Sequence, residues 1–260
     1  MNVIALFINE WDKFLLLLAR FAGISFIPVF NTKSVPVQWR VFCTLIITFF
    51  AWDMGLAGNV TIKTDNILVY FWVVITEALT GIALALVIQF FFAGVQLAGQ
   101  AIDTQMGLSM MNVVDPISGT QAPIIGNFKY VVALLVFLEV NGHHYFISAI
   151  FESYEALPIG QNFLLSPYFI QKYINYFGNI FIVGCKLSMP IVGTLMVTDF
   201  AMGVIARTVP QMNIFVVGMP VKILVGLFVL LVTIPLYVYL LNSYLADVIN
   251  EIYDLIRVVH

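Results

Sequence analysis

The chain has 260 residues, of which 62% are hydrophobic and 10% charged, and its formal net charge is −3. An ordinary soluble domain carries about 25% charged residues, and no water-soluble fold of this length could hide so much apolar surface, so the chain is read as an integral membrane protein. No basic cluster offers itself to nucleic acid or to anionic lipid.

The opening residues lack a basic n-region, and Glu10, Asp12 and Lys13 interrupt them, so the first apolar run is read as a retained span and not as a secretory signal. That run covers residues 3 to 30, contains Arg20 and is closed by Pro28. Arg20 either snorkels from a helix end or pairs with an acid elsewhere in the protein. A short link with Lys33, Pro36 and Arg40 leads to a second run, Val41 to Trp52, which is short for a bilayer. A polar turn region, Gly58 to Asn66, follows. The third run, Ile67 to Val95, has Glu77 as its one charge, and Ala78, Gly81, Ala83 and Ala85 allow close helix approach.

The fourth run, Ile124 to Val140, carries Lys129 and Glu139, and after Asn141 to His144 a further apolar stretch covers Tyr145 to Phe151. Glu152 to Pro167 reads as a polar loop. The fifth run, Tyr168 to Ala206, is too long for one crossing of about 20 residues. Pro190 and its glycines predict a kinked or divided helix. The sixth, Ile214 to Leu245, contains Pro235 and precedes an amphipathic tail, Asp247 to His260. The fold class is therefore all-α, a membrane protein of long, kinked and broken helices forming hairpins, with about six spans in all. Cys43 and Cys185 lie inside apolar runs as small hydrophobes.

One interruption organises the rest, residues 94 to 128. It holds Gly94, Gly99, Gly107, Gly119 and Gly126, the prolines Pro116 and Pro123, and only two charges, Asp103 and Asp115. A solvated loop would carry more charge, and a membrane helix fewer Gly, Gln and Asn. Irregular backbone at membrane depth is tolerated where it is buried in protein or lines a water-filled cavity, which makes this stretch the candidate gate. Met106, Leu108, Met110, Met111, Val113 and Val114 are apolar and adaptable, since thioethers on unbranched stems repack readily.

Three classes of function compete. An enzyme lacks its constellation: His143 and His144 are adjacent and on a helix point about 100° apart, and no HExxH, GxSxG or P-loop is present. No motif for a metal or a cofactor is found. A proton-coupled carrier would explain Glu77, Asp103, Asp115, Glu139 and Asp199 in or beside spans. The plain alternative is that these acids pair with Arg20, Lys129, Lys186, Arg207 or Lys222. The third class is a structural subunit of a pore, with the interruption as its closure.

Several stretches carry a family resemblance. Arg207-Thr-Val-Pro210-Gln211-Met-Asn213-Ile-Phe215-Val-Val-Gly-Met-Pro220 is similar to the R-x-x-P-Q-x-x-x-F-x-x-G-x-P stretch of the FliR family of flagellar export-gate proteins. Gln105-Met-Gly-Leu-Ser109 with Asp115-Pro116 resembles that family's central loop. Asn141-Gly-His143 and Leu157-Pro-Ile-Gly160 follow in the family's order, and Arg20, Gly23 and Pro28 fit its opening span.

The resemblance implies a multi-pass protein of the bacterial inner membrane, in the flagellar basal body, that serves type III secretion and flagellar biosynthesis. It implies a non-enzymatic, pore-forming subunit assembled with FliP-type and FliQ-type subunits and touching a FlhB-type protein. Unfolded flagellar proteins would pass through the pore. It further implies a FliP-like part, residues 1–177, containing a plug loop at about 94–128, and a FliQ-like helical hairpin with its amphipathic tail, residues 178–260. The plug would comprise Met106, Gly107, Leu108, Met110, Met111, Val113, Asp115 and Pro116. The hairpin turn would comprise Arg207, Pro210, Gln211, Asn213 and Phe215. The equivalent subunit of a virulence injectisome, of the related SctT type, is the alternative within the family.

Overall fold

A computed structural model of the chain describes residues 11–32, 35–56, 67–110, 123–160, 167–211 and 213–257. Helices account for all the regular structure in them: α1 (Trp11–Phe21), a 3-10 segment (Ala22–Phe26), α2 (Val37–Asp53), α3 (Ile67–Met106), a short 3-10 turn (Leu108–Met110), α4 (Ile124–Glu139), α5 (Gly142–Ala156), α6 (Pro167–Thr208) and α7 (Ile214–Arg257). An all-α architecture is what hydrocarbon demands, because a helix satisfies its backbone donors and acceptors within one segment.

The apolar runs fall where the sequence puts them, but their boundaries and number change. Among the described residues, α3, α6 and α7 are long and apolar enough to cross a bilayer, giving 3 spans, or up to 4 if α4 and α5 are counted together as one. Within the described residues, the helices of the first two runs are shorter, α1 with 11 residues and α2 with 17. The fifth run is one helix of 42 residues with Pro190 inside it, not a divided pair. The tail is no separate element, since α7 continues to Arg257.

Two compact units make up the chain, each gathered from separated segments. The first contains residues 1–90, 141–176 and 245–260; the second contains 91–140 and 177–244. In the first, Leu16, Leu17, Phe21 and Ile24 are almost completely buried, as are Phe146, Ala149 and Ile150 of α5. Phe21 packs edge-on to Phe151 and stacks on Tyr154.

At the centre of this apolar unit lies an ion pair. Arg20 and Glu77 are each 1% exposed, and Arg20 Nε donates to Glu77 Oε2 at 2.7 Å. The remaining guanidinium donors are also used. Arg20 Nη1 donates to the Ser153 carbonyl (2.9 Å) and hydroxyl (3.1 Å), and Nη2 donates to the Leu157 carbonyl (3.0 Å). The guanidinium lies 4.0 Å from the centre of the Tyr154 ring. The second oxygen of Glu77 accepts the Gly160 amide at 3.0 Å, which Gly160 presents from a left-handed φ of 88°. A buried ion pair is tolerated only when such hydrogen bonds satisfy both ions. Beside it, α3 meets the 3-10 segment with no side chain between them: a Cβ on Gly23 would overlap the Gly81 carbonyl, and one on Gly81 would overlap the Arg20 carbonyl.

Removing one partner leaves a buried charge uncompensated, at a cost of about 3–5 kcal/mol. Glu77→Ala is expected to lower the unfolding temperature of the detergent-purified protein by many degrees. Arg20→Met combined with Glu77→Leu should recover much of that loss. A double variant no more stable than Glu77→Ala would mean that packing around Gly23 and Gly81, not the ion pair, holds this unit.

Candidate functional site

In the second unit, α3 ends and α4 begins on either side of the central interruption. The predicted break at 94 is corrected: Gly94 to Met106 are helical, and so is everything from Ile124 to Phe128. The physical reason lies in what the glycines touch. A Cβ on Gly94 would come within 3.4 Å of the Val183 side chain, and one on Gly99 would overlap Cα of Gly126. These residues permit close helix approach and do not break the helix.

Asp103, on the last turn of α3, is 4% exposed. Its carboxylate accepts the Ile125 amide at 3.1 Å on one oxygen and the Gly126 amide at 2.9 Å on the other. The helix α4 has Pro123 at its N-cap, with no capping side chain of its own. Asp103 therefore serves as a cap from another helix, answering two of the orphan amides at an N-terminus with a negative charge that the helix dipole favours. Together with the Gly99–Gly126 contact, it closes the neck of the loop.

Met106, expected in the plug, lies at the end of α3 on its buried face. It is 0% exposed and belongs to a core cluster with Ile102, Ile125, Ile191, Leu195 and Leu230, and Leu108 leans on the same cluster. Helical spacing puts Met106 one turn after Ile102 on the buried face. Its thioether also sits against Gly226, where an added Cβ would approach Met106 Cε to 2.8 Å. Gly107 then ends the helix in the left-handed region, with φ 81° and its amide bonded to the Thr104 carbonyl at 3.1 Å. That is the usual work of a glycine just past a helix end. Met110 closes the described stretch, and its side chain lies outside the description; Met111, Val113, Asp115 and Pro116 lie outside the described residues.

Five further polar contacts lie in this unit. Lys129, 3% exposed, donates to the Leu187 carbonyl at 2.8 Å and sits 4.2 Å from the centre of the Tyr237 ring. Tyr237 in turn donates to the Lys129 carbonyl at 2.9 Å. This joins α4, α6 and α7 close to Pro190 and Pro235. Asp199 accepts Gln105 Nε2 at 2.8 Å and pairs with Lys222. Of the acids that suggested a carrier, Glu77 and Asp199 pair with cations, Asp103 caps a helix and Glu139 is exposed; Asp115 lies outside the described residues.

Of the other predicted positions, Pro210 and Gln211 lie exposed in the connection between α6 and α7. The Asn213 carbonyl accepts the Val216 and Val217 amides at the start of α7. Arg207 is exposed in the last turn of α6, and the Phe215 side chain lies outside the description. Gln211 makes no side-chain hydrogen bond among the described residues. The neck residues Asp103, Gly99 and Gly126 and the Lys129–Tyr237 contact escaped sequence reasoning as a group. Each residue type was visible, but its partner lies some 20 or more positions away.

The whole chain has relatives. Residues 11–248 match the family described as bacterial export proteins, family 1. The flagellar biosynthetic protein FliR of Bacillus subtilis is 35% identical over 97% of this chain and 97% of its own length. FliR of Escherichia coli is 32% identical over 92% and 90%. The secretion system apparatus protein SsaT of Salmonella typhimurium is 24% identical over 68% of each chain. With its apolar helices and this family match along most of its length, the chain is a multi-pass inner-membrane protein of the FliR family of bacterial export proteins.

Proposed function

We propose that this chain is a structural, pore-forming subunit of the flagellar type III export gate, and that the segment after Leu108 is its plug. The observation that carries the reading is the neck. Two helices end on either side of an apolar, methionine-rich interruption, and Asp103 bonds the start of one to the end of the other. Such a neck fixes both roots of the segment proposed as the seal. Met106 and Leu108 are anchors in this reading, and residues 110 to 116 are the seal. Its apolar side chains exclude water, and Gly107 supplies a backbone joint at the anchored end.

The spans suit a life among neighbours. Only 17% of the most apolar window of α7 and 33% of that of α6 are buried within this chain. FliP-type and FliQ-type subunits and a FlhB-type protein would cover such faces, with residues 1–177 acting as a FliP-like part and 178–260 as a FliQ-like hairpin and tail. The connection around Pro210 and Gln211 would turn that hairpin. The chain itself is passive and non-catalytic here: unfolded flagellar proteins pass through the conduit, and other parts of the apparatus supply the energy. The injectisome reading is second, because the SsaT likeness is lower and covers less of the chain than the FliR likenesses.

Deleting residues 111–116 keeps both anchors and the neck. Cells carrying that deletion are expected to assemble the complex in normal yield but to leak small ions, measured as membrane depolarisation. Unchanged conductance in a well-assembled mutant rejects the plug. Asp103→Ala removes the acceptors of two buried amides, at about 1–3 kcal/mol each. Amide hydrogen exchange at Ile125 and Gly126 should then accelerate by at least tenfold, while Val136 in the same helix is unaffected. Equal protection in the variant would dissociate the neck from Asp103.

A further inference from the structure

A cavity of about 360 Å³ opens beside the anchored end of α3. Met106, Met202 and Met219 line it with Gly203, and its polar side is made by Gln105, Asp199 and Lys222. Asp199 takes the Lys222 ammonium on one oxygen and the Gln105 amide on the other, so the polar side carries no net charge. Asp199 is 38% and Lys222 25% exposed at the side chain. Hydrocarbon is a poor neighbour for such a pair, since ionised groups in a membrane protein face protein or water. An acyl chain is therefore excluded as the occupant.

What remains open on the polar side is one kind of donor and one kind of acceptor. Among the described residues, the Lys222 ammonium keeps unused protons and the Gln105 side-chain oxygen is unengaged. A peptide group offers the complementary carbonyl and N–H. The apolar side is built from unbranched thioethers and glycine. Such linings repack around side chains of different shape and mark surfaces that accept many sequences. A resident neighbour of fixed sequence would call for a fixed shape. We infer that this cavity is a binding subsite for the travelling polypeptide: it seats one apolar side chain of an extended segment against Met202 and Met219, over the buried Met106, while Lys222 and Gln105 hold the adjoining peptide group. The inference rests on the conduit reading above and adds a place of contact to it.

Gly203 provides the means of testing it. A Cβ built there meets nothing within 4 Å, so a side chain can be introduced at this lining position, and Gly203→Leu is chosen to occupy the cavity. A photo-crosslinking amino acid at Met219, in the full complex in cells, should form an adduct with a flagellar export cargo stalled by a folded domain at its C-terminus. Gly203→Leu should cut that adduct at least fivefold with the complex yield unchanged. The same probe at Val113, in the proposed seal, serves as the reference for the conduit. Cargo captured at Val113 but not at Met219 overturns the subsite and leaves the conduit standing; capture at neither position overturns both. Adducts at Met219 made only with resident subunits or within this chain, or cargo adducts indifferent to Gly203→Leu, also overturn the subsite.

Discussion

A guanidinium withdrawn from water must find its hydrogen bonds within the protein, and Arg20 does so with five contacts of four kinds. It has a carboxylate, two backbone carbonyls and a hydroxyl in its plane, and an aromatic ring on its face. No single helix could supply that set. Glu77 comes from α3, Ser153 from α5 and Leu157 from the turn that follows, so satisfying one cation fixes three pieces of chain. In an apolar unit there is little else directional enough to choose among packings. Dispersion holds the helices together, and the ion pair with its ring of donors selects the arrangement.

The second unit uses the same logic with smaller groups. Asp103 ties α3 to α4 through two backbone amides, and Lys129 ties α4 to α6 through a carbonyl three residues before Pro190. A proline in a helix strips the donor from the carbonyl one turn earlier and loosens the ladder around it. Pro190 leaves the Lys186 carbonyl without its helical donor, and the buried Lys129 ammonium reaches the next carbonyl, that of Leu187, within a helix that runs on for 42 residues.

Much of the fold was legible because apolar runs announce themselves. The start of α4 at Ile124 and the extent of α6 were visible from hydropathy alone, and Arg20 advertised that it needed an acid. What sequence could not convey was the meaning of glycine. Gly94 and Gly99 look like breakers beside Gln100, Thr104 and Gln105, and only their contacts with Val183 and Gly126 reveal them as places where helices touch. Met106 is ambiguous for a related reason: one thioether reads alike in a core and in a seal, and only the structure shows it packed against Ile102 and Gly226. The short motifs carried more than expected. Leu157 and Gly160 of the Leu-Pro-Ile-Gly stretch are the backbone ligands of Arg20 and Glu77, and Asn141 of Asn-Gly-His takes the left-handed conformation at the start of α5.

The bare contact between Gly23 and Gly81 constrains how the sequence can drift. Neither position has a tolerated intermediate, because even a single methyl group at one forces the two backbones apart. Parting them drags Arg20 out of reach of Glu77, since the Arg20 carbonyl is itself the surface against which Gly81 rests. The two glycines, the arginine and the glutamate are therefore mechanically coupled: a side chain added at either glycine is felt at the ion pair, and the joint has to be rebuilt as a whole.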